Sequence, residues 1–490
     1  MNFLYRAPES VNRTQLRLLK ELDKMINFDK CIVIEQGEGA DQYPSSKYVT
    51  YDAGIGYNCE YEKIVDLNQL PELDREILEL MEVYKSTCLN MTMRNYDLYV
   101  GNYYEMEREY LRHLKFWNYV LDKHSIDFMC FSIVPHTLWE YIIYALAKCK
   151  KIPTLIFNYS HIPGLVSIGT SIETIGMNTK ILYESNAKLR KTDIHEFVKE
   201  FVASASKQHS RTPLKEKNVQ RINELLKNHY GIYIKRALDD VLCSDNKDKW
   251  KYRIHTLKDV CLEQLSVKSV SYYDKMAERE LKNEKYVYFA LQVTPEMTTL
   301  PWAGVFSNQI LSIRLLAQSL QPLGIKVYVK EHWFQNYRPK AFYDELRQIP
   351  NVICVHSLID SYKLIQNSVA IASQTGSCIT EGIIKGKTIL TFVNGYWSGV
   401  PSVHLVNCKE DIVNAVNSPI SLCKEEIVRY FLSIENTMIR MNLDMKEDKR
   451  VETKDTIEDV VDVITKYVNS NFDDNFMYMR VYDNCSHIED

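Results

Sequence analysis

Short apolar segments alternate with amphipathic segments over residues 285–418, and this alternation constrains the fold more than any other feature of the chain. The apolar runs have the length of buried strands, and the segments between them have helical spacing. The predicted strands are 286–292, 325–331, 352–355, 369–373, 388–393 and 403–406, and the predicted helices are 304–320, 339–348, 358–367 and 377–385. Strands that alternate with helices in this way predict a doubly wound, parallel α/β sheet.

A second α/β unit is predicted in the amino-terminal part of the chain. Residues 126–132 and 152–158 have the pattern of strands on either side of a helix at 137–150, which is a β-α-β unit with parallel strands. The predicted fold class is therefore α/β, with two Rossmann-like lobes, a helical connector and carboxyl-terminal helices. Its segments are an amino-terminal lobe (1–204), a helical connector or insertion (205–284), a carboxyl-terminal lobe (285–420), and terminal helices with a tail (421–490).

The composition is that of an ordinary globular protein and argues against several classes. Of 490 residues, 46% are hydrophobic and 25% are charged, and 60 Lys and Arg balance 64 Asp and Glu. No excess of positive charge indicates a nucleic-acid partner. No apolar run is long enough to span a bilayer, and the first residues lack the apolar stretch of a signal peptide. We therefore expect a cytoplasmic protein without a nucleic-acid partner.

One loop of the carboxyl-terminal lobe has a pattern suited to an anion. Thr375, Gly376 and Ser377 follow a predicted strand and open a predicted helix, with Glu381 one turn further on. Backbone N–H groups and the positive end of the helix dipole converge at such a turn and favour phosphate, while Glu381 could accept from a ribose hydroxyl. The alternative is helix capping by Thr375 or Ser377, which needs no ligand.

Two further loops follow predicted strands of the same sheet. In the first, Gln292 and Glu296 precede Thr298, and Glu296 is either a buried cap or an active-site carboxylate. In the second, alternation places Lys330 and His332 on one side of the strand end, where they would suit a diphosphate or a sugar carboxylate. The alternative for this second loop is a solvated lysine and a histidine bonded to a backbone carbonyl.

The ordered set of these motifs resembles the bacterial capsule polysaccharide biosynthesis proteins, a family that includes Kdo transferases. The motifs are Gln292-x-x-Pro295-Glu296-x-Thr298-Thr299, Val329-Lys330-Glu331-His332, Pro350-Asn351-Val352, Thr375-Gly376-Ser377 with Glu381, Asn394-Gly-Tyr-Trp397, and upstream Ser132-Ile-Val-Pro135-His136-x-x-Trp139-Glu140. The resemblance covers residues 286–406 and part of the amino-terminal half. The family's Lys-Glu-His is usually followed by proline, where this chain has Trp333.

The resemblance implies a glycosyltransferase of the two-lobed GT-B type. Its carboxyl-terminal lobe would hold a nucleotide-sugar donor, and its amino-terminal lobe would hold a glycan or lipid-linked acceptor. The residues expected to bind the donor are Gln292, Lys330, His332, Thr375, Gly376, Ser377 and Glu381. The candidates for the catalytic acid or base are Asp127, His136, Glu140 and Glu296. A base is needed because the acceptor hydroxyl loses its proton as the new bond forms. The alternative for His136 and Glu140 is that their segment starts and caps a helix.

The predicted function is transfer of a sugar, Kdo or a related one, in capsule or surface polysaccharide biosynthesis, with no metal and no cofactor. Two alternatives remain open at this point: a nucleotide-sugar epimerase of the same fold, and a non-catalytic protein that binds polysaccharide or couples to its export. A lipid-linked acceptor would place the protein at the inner face of the membrane. The candidate segments for peripheral membrane contact are 207–227 and 247–258, which carry several basic residues. The alternative is that they belong to a solvated helical connector.

Overall fold

A computed structural model shows one mostly parallel and one fully parallel sheet, each covered by helices on both faces. It describes residues 1–7, 13–35, 43, 46–95, 103–185, 187–205, 271–332, 335, 338–442 and 451–480. The strands are β1 (Asn2–Arg6), β2 (Lys30–Glu35), β3 (Tyr48–Asp52), β4 (Phe128–Phe131), β5 (Thr154–Tyr159), β6 (Leu165–Gly169), β7 (Tyr286–Ala290), β8 (Lys326–Lys330), β9 (Val352–Cys354), β10 (Ala370–Ser373), β11 (Thr388–Thr391), β12 (Val403–Leu405) and β13 (Ile439–Arg440). The predicted α/β class with two Rossmann-like lobes is confirmed.

The helices pack against both sheets. They are α1 (Arg13–Ile26), α2 (Ala53–Asn58), α3 (Arg75–Asn95), α4 (Tyr103–His124), α5 (Leu138–Cys149), α6 (Met177–Glu184), α7 (His195–Ala205), α8 (Gln309–Leu320), α9 (Lys340–Gln348), α10 (Ser361–Asn367), α11 (Cys378–Ile384), α12 (Lys409–Asn417), α13 (Lys424–Thr437) and α14 (Thr453–Asn469). The helix predicted at 304–320 begins later, at Gln309, because Asn308 caps it: its side chain accepts from the N–H of Ile310.

The first sheet forms the amino-terminal lobe and has the strand order β13-β6-β5-β4-β1-β2-β3. The strands β5, β4, β1, β2 and β3 are parallel, and β6 and β13 extend the sheet in antiparallel fashion. Every residue of β4 is buried, as expected for a parallel strand with helices on both faces. The predicted β-α-β unit is therefore present as β4, α5 and β5.

The second sheet forms the carboxyl-terminal lobe and has the order β12-β11-β10-β7-β8-β9, with all of its strand pairs parallel. This is the doubly wound order in which the chain starts in the middle, at β7, and winds outward first one way and then the other. Residues 271–276 are helical, and Tyr273 is buried in the core of this lobe. The lobe therefore includes residues upstream of the predicted boundary at 285.

The carboxyl-terminal segment returns to the amino-terminal lobe. α13 packs against α6, β13 pairs with β6, and α14 packs against α1. The short strand β13 was not predicted, because a two-residue strand carries no periodicity. Most of the predicted connector, and both predicted membrane-contact segments, lie outside the described residues. Within the described part of the chain, no helix is both long and apolar enough to cross a bilayer.

Candidate active site

The carboxyl ends of β7 and β10 lie side by side where the strand order of the second sheet reverses. In sheets of this kind, connections leave two such strands in opposite directions and a crevice opens outside their ends. The β7 loop (291–303) and the β10 loop (373–377) follow these two strands. The β8 loop, of which residues 331, 332, 335, 338 and 339 are described, follows the neighbouring strand. The structure therefore brings together, at one edge, loops that are far apart in sequence.

The side chain of Gln292 connects the β7 loop to the β10 loop. Its Nε2 donates to Ser373 Oγ at 3.0 Å, and the same hydroxyl accepts from the Gly376 N–H at 3.1 Å. A Cβ atom at position 376 would lie 2.4 Å from Gln292 Nε2, so any larger residue would force the Gln292 side chain out of its present position. The Gly376 N–H, which the sequence pattern suggested would face an anion, is instead engaged by Ser373.

A buried polar network holds the backbone at Gln292. Gln309 accepts from the Gln292 N–H at 2.7 Å and donates to the Gln292 carbonyl at 2.9 Å, and Arg338 donates to the same carbonyl at 2.9 Å. Arg338 also forms a bidentate ion pair with Glu331, at 2.8 and 3.1 Å. Burial lowers the pKa of Arg338, but the Glu331 carboxylate more than offsets this effect, so the pKa stays above its ordinary value. The network is buried and charged, and it holds the backbone of Gln292 in place.

The predicted alternation at the end of β8 is present, since Glu331 is buried while Lys330 and His332 are partly exposed. The Lys330 ammonium donates to the carbonyl of Ile359 and to Ser361 Oγ, which is 3.1 Å away. Lys330 is therefore anchored to the segment that leads into α10. His332 donates its backbone N–H to Glu331 Oε1 at 2.7 Å. Trp333 lies outside the described residues.

The β7 loop is closed by its own side chains. Both the N–H and the hydroxyl of Thr298 donate to Glu296 Oε2, so this carboxylate caps its own turn. The hydroxyl of Thr375 donates to the Thr298 carbonyl at 3.3 Å, which joins the β7 and β10 loops. These contacts favour the capping alternative for Glu296 and show that Thr375 helps to hold the loops together.

Ser377 and Glu381 lie at the outer side of the β10 loop. Ser377 Oγ donates to Glu381 Oε1 at 3.1 Å, and both groups are accessible to solvent at this contact. Among the predicted donor-binding residues, this pair presents a hydroxyl and a carboxylate oxygen side by side to solvent. Such a pair can exchange hydrogen bonds with the hydroxyls of a ribose or sugar ring.

The amino-terminal lobe has a charged pair at its own reversal point, between β1 and β4. Arg6 ends β1, and its Nε lies 2.6 Å from Oε1 of Glu140 in the first turn of α5. Glu140 is fully buried, and its Oε2 accepts from the N–H groups of His136 and Thr137 at 3.3 and 3.2 Å. Burial raises the pKa of Glu140, but Arg6 and His136 outweigh this and bring the pKa to about 2. Glu140 therefore acts as a capping carboxylate that fixes the turn before α5.

His136 is carried by that turn and is partly exposed. Its Nδ1 lies 2.7 Å from the Val134 carbonyl. A carbonyl can only accept, so Nδ1 carries the hydrogen in the neutral ring and Nε2 carries the lone pair. Nδ1 also lies 3.7 Å from Glu140 Oε2. His136 thus has the tautomer of a general base that acts through Nε2.

Asp127 is not brought together with His136 and Glu140. It precedes β4 and accepts the N–H of Asn2 at 2.7 Å, at the amino end of the strands. The structure thus separates this candidate for the catalytic acid or base from the other two in the amino-terminal lobe. A residue before a parallel strand lies at the opposite edge of the sheet from a residue after it.

His161 is a residue that the sequence analysis missed. It lies in the loop between β5 and β6, and its side chain reaches the second lobe: Nε2 is 2.8 Å from the Thr375 carbonyl and Nδ1 is 3.2 Å from Thr380 Oγ1. Its backbone N–H donates to the Tyr396 hydroxyl at 3.0 Å, and its ring stacks on Trp397 with centroids 5.9 Å apart. Only its position after a predicted strand could have suggested it, since no motif surrounds it.

The described residues contain no group of three or more His, Cys, Asp or Glu side chains arranged to hold a metal ion.

Comparison with solved structures finds matches over most of the chain at low similarity. KpsC of Thermosulfurimonas dismutans, a β-Kdo 2,7 transferase, is 9% identical with a TM-score of 0.32, and the alignment covers 95% of this chain and 100% of that one. A UDP-GlcNAc 2-epimerase of Neisseria meningitidis, bound to UDP-GlcNAc, is 15% identical with a TM-score of 0.25, covering 96% of this chain and 100% of that one. No protein-family model and no curated protein matches the chain.

Proposed function

We propose that the protein is a glycosyltransferase that binds a nucleotide-activated sugar between its two lobes. The observation that carries the proposal is the hydrogen bond from His161 to the Thr375 carbonyl. His161 follows the carboxyl end of β5, and Thr375 follows the carboxyl end of β10. The ligand-binding edges of two doubly wound sheets therefore face each other, an arrangement in which one lobe can hold a donor against an acceptor on the other.

The donor belongs on the second lobe in this proposal. Gln292, His332 and the β10 loop lie at the carboxyl edge, with Ser377 and Glu381 suited to ribose or sugar hydroxyls. The Gln292 side chain is held by the buried Ser373 hydroxyl before any ligand binds, which reduces the entropy lost on binding. Lys330 contributes positive charge to the same edge through the position of its ammonium beside Ser361.

The acceptor belongs on the first lobe, beside His136. The acceptor hydroxyl attacks the anomeric carbon, the bond between that carbon and the nucleotide breaks, and its electron pair leaves with the phosphate. Nε2 of His136 takes the hydroxyl proton as the new bond forms. Glu140 is a positioning residue, since it is buried against Arg6 and fixes the turn that carries His136.

The finer assignment, a Kdo-like sugar in surface polysaccharide assembly at the inner face of the membrane, is part of this proposal and is supported by the sequence motifs. The first test is a thermal-shift screen with CMP-, UDP- and GDP-sugars. A ligand present at 100 times its dissociation constant should stabilise the fold by about 2.7 kcal/mol. Failure of every nucleotide sugar to bind would contradict the proposal.

Product analysis then separates the classes of function. Turnover that requires an acceptor supports the transferase, whereas conversion of the donor sugar alone supports an epimerase. Glycan binding without turnover supports a non-catalytic protein.

In the transferase, His136→Gln should lower kcat by about 100-fold or more and leave the nucleotide Kd unchanged. His195→Gln is the matched control, because His195 pairs with Glu435 instead of the cleft and should retain turnover.

A further inference from the structure

His161 makes more polar contacts across the lobe boundary than an ordinary packing residue would. Nε2 and Nδ1 each have a partner in the second lobe, and the backbone N–H has a third. The ring also lies parallel to Trp397, with an interplanar angle of 5°. Trp397 itself is fully buried against Trp302. The position, rotation and tilt of the imidazole are therefore all determined by the second lobe.

The hydrogen bonds determine the protonation state of His161. The Thr375 carbonyl can only accept, so Nε2 carries the hydrogen. Nδ1 then carries the lone pair and accepts from the Thr380 hydroxyl. Burial lowers the pKa of His161 to about 4, which keeps the ring neutral near pH 7. A neutral ring with this tautomer satisfies both partners at the same time.

The carbonyl that His161 contacts belongs to the peptide bond between Thr375 and Gly376. The other polar group of the same peptide, the Gly376 N–H, donates to Ser373 Oγ, which in turn accepts from Gln292. One peptide plane in the β10 loop is thus held from both sides. Ser373 and Gln292 hold it from within the second lobe, and His161 holds it from the first lobe.

We propose that His161 is a positioning residue for the nucleotide-sugar site: it sets the orientation of the Thr375–Gly376 peptide, so that the β10 loop takes its binding geometry only when the two lobes are together. The inference rests on the proposed function and deepens it, because it makes donor binding depend on a residue of the acceptor lobe. The next residue, Ser377, is carried by this peptide, so a rotation of the peptide would move the Ser377–Glu381 pair.

Two substitutions separate hydrogen bonding from packing. His161→Phe keeps a ring to stack on Trp397 and loses both side-chain hydrogen bonds. His161→Gln offers an N–H for the Thr375 carbonyl and an oxygen for the Thr380 hydroxyl. We expect His161→Phe to raise the nucleotide Kd and the donor KM about tenfold or more, with a smaller change in kcat. His161→Gln should restore most of the affinity.

The control is His195→Phe, which removes a histidine bonded to the buried Glu435 and leaves the β10 loop untouched. It should lower the melting temperature without changing the nucleotide Kd. If His161→Phe behaves like this control, with a lower melting temperature and an unchanged Kd, His161 is a packing residue and the inference is wrong.

Hydrogen exchange of the peptide spanning 373–377, measured without nucleotide, keeps this test separate from the proposed function. Faster exchange at Gly376 in His161→Phe, but not in His161→Gln, would support positioning by His161. Equal exchange in all three proteins would overturn it. Failure of the wild-type protein to bind any nucleotide would instead overturn the proposed function, and the exchange result would still decide whether His161 orients the loop.

Discussion

Both lobes place a buried arginine–glutamate pair beside the reversal point of the sheet, but the two pairs support different groups. In the first lobe, the Arg6–Glu140 pair is completed by backbone N–H groups, so it fixes the turn that carries His136. In the second lobe, the Arg338–Glu331 pair is completed by the Tyr343 hydroxyl, at 2.6 Å from Glu331.

The second pair also reaches further. Arg338 donates to the Gln292 carbonyl and to Gln335 Oε1, at 2.9 and 3.0 Å. The same chemical device therefore positions an imidazole in one lobe and an amide side chain in the other. In each lobe, the buried ion pair at a strand end does not itself face a ligand. It holds in place the neighbouring groups that a ligand could contact.

The largest effect is expected when the arginine of either pair is removed. Arg6→Met or Arg338→Met leaves a fully buried carboxylate without its counter-ion. Each substitution should lower the free energy of unfolding by about 3–5 kcal/mol, measured as a shift of the urea midpoint.

The double variants Arg6→Met/Glu140→Gln and Arg338→Met/Glu331→Gln should regain much of that stability, because no isolated charge remains. Arg314→Met is the exposed control: Arg314 pairs with Glu345 at 3.1 Å, and the two side chains are 49% and 50% exposed. It should cost at most about 1 kcal/mol. If Arg6→Met or Arg338→Met lowers the free energy of unfolding no more than Arg314→Met does, the buried pairs do not support the fold as described.

The next largest effect is a dependence of the free energy of unfolding on acidic pH, which arises from Glu140 in the first lobe. The pKa of Glu140 is about 2, against an ordinary value of 4.5. Because the folded-state pKa is lowered, ionised Glu140 stabilises the fold fully above about pH 4.5, and this contribution is lost as the pH falls towards 2. It amounts to about 3 kcal/mol.

Urea midpoints of the wild type and Glu140→Gln, measured from about pH 7 to about pH 3, test this expectation. The advantage of the wild type should shrink as the pH falls below about 4.5, because the unfolded chain then binds a proton at Glu140 that the folded protein, with its lower pKa, does not bind. An advantage that stays constant over the whole range would contradict the assignment.

A smaller and more local effect is expected at the β10 loop of the second lobe. Gly376→Val places carbon atoms where Gln292 Nε2 lies, and Ser373 Oγ would be only 2.9 Å from the new Cβ. The loop must shift, at a cost in stability of about 1–3 kcal/mol, and nucleotide affinity should be abolished. Calorimetric titration of the folded variant measures this. Unchanged affinity would mean that the loop does not contact the nucleotide.

The smallest expected effect is a difference in donor affinity between substitutions at Lys330 and at His332, which lie at the end of β8 and in the loop after it. Alanine at His332, or at Glu381 in α11, should weaken donor binding by about 1–3 kcal/mol. Lys330→Met should change the affinity less, because the ammonium is already bonded to Ile359 and Ser361. Titration of the three variants with one nucleotide sugar makes the comparison. A larger loss for Lys330→Met than for His332→Ala would show that the lysine leaves its partners to bind phosphate.

The elements around the site were largely predictable from the sequence. Strands β7 to β11 each fall within a predicted apolar run, and the loops that follow them occupy the predicted edge. Asp127 and His136 are close in sequence but lie at opposite edges of the sheet, because one residue precedes β4 and the other follows it. The partners of two charged candidates could not be predicted: Arg6 for Glu140, and Ile359 and Ser361 for Lys330.

By itself, the sequence determined the two α/β lobes and the edge at which polar loops collect, because strand and helix periodicity follow from local backbone geometry. Only the tertiary structure decided which polar groups satisfy one another. Glu140 meets Arg6 from 134 positions away, and His161 meets the Thr375 carbonyl from 214 positions away. Such contacts depend on how the sheets wind and how the lobes approach each other. The physical reason is that a buried charge or amide is stable only with a partner, and that partner is supplied by the fold and not by neighbours along the chain.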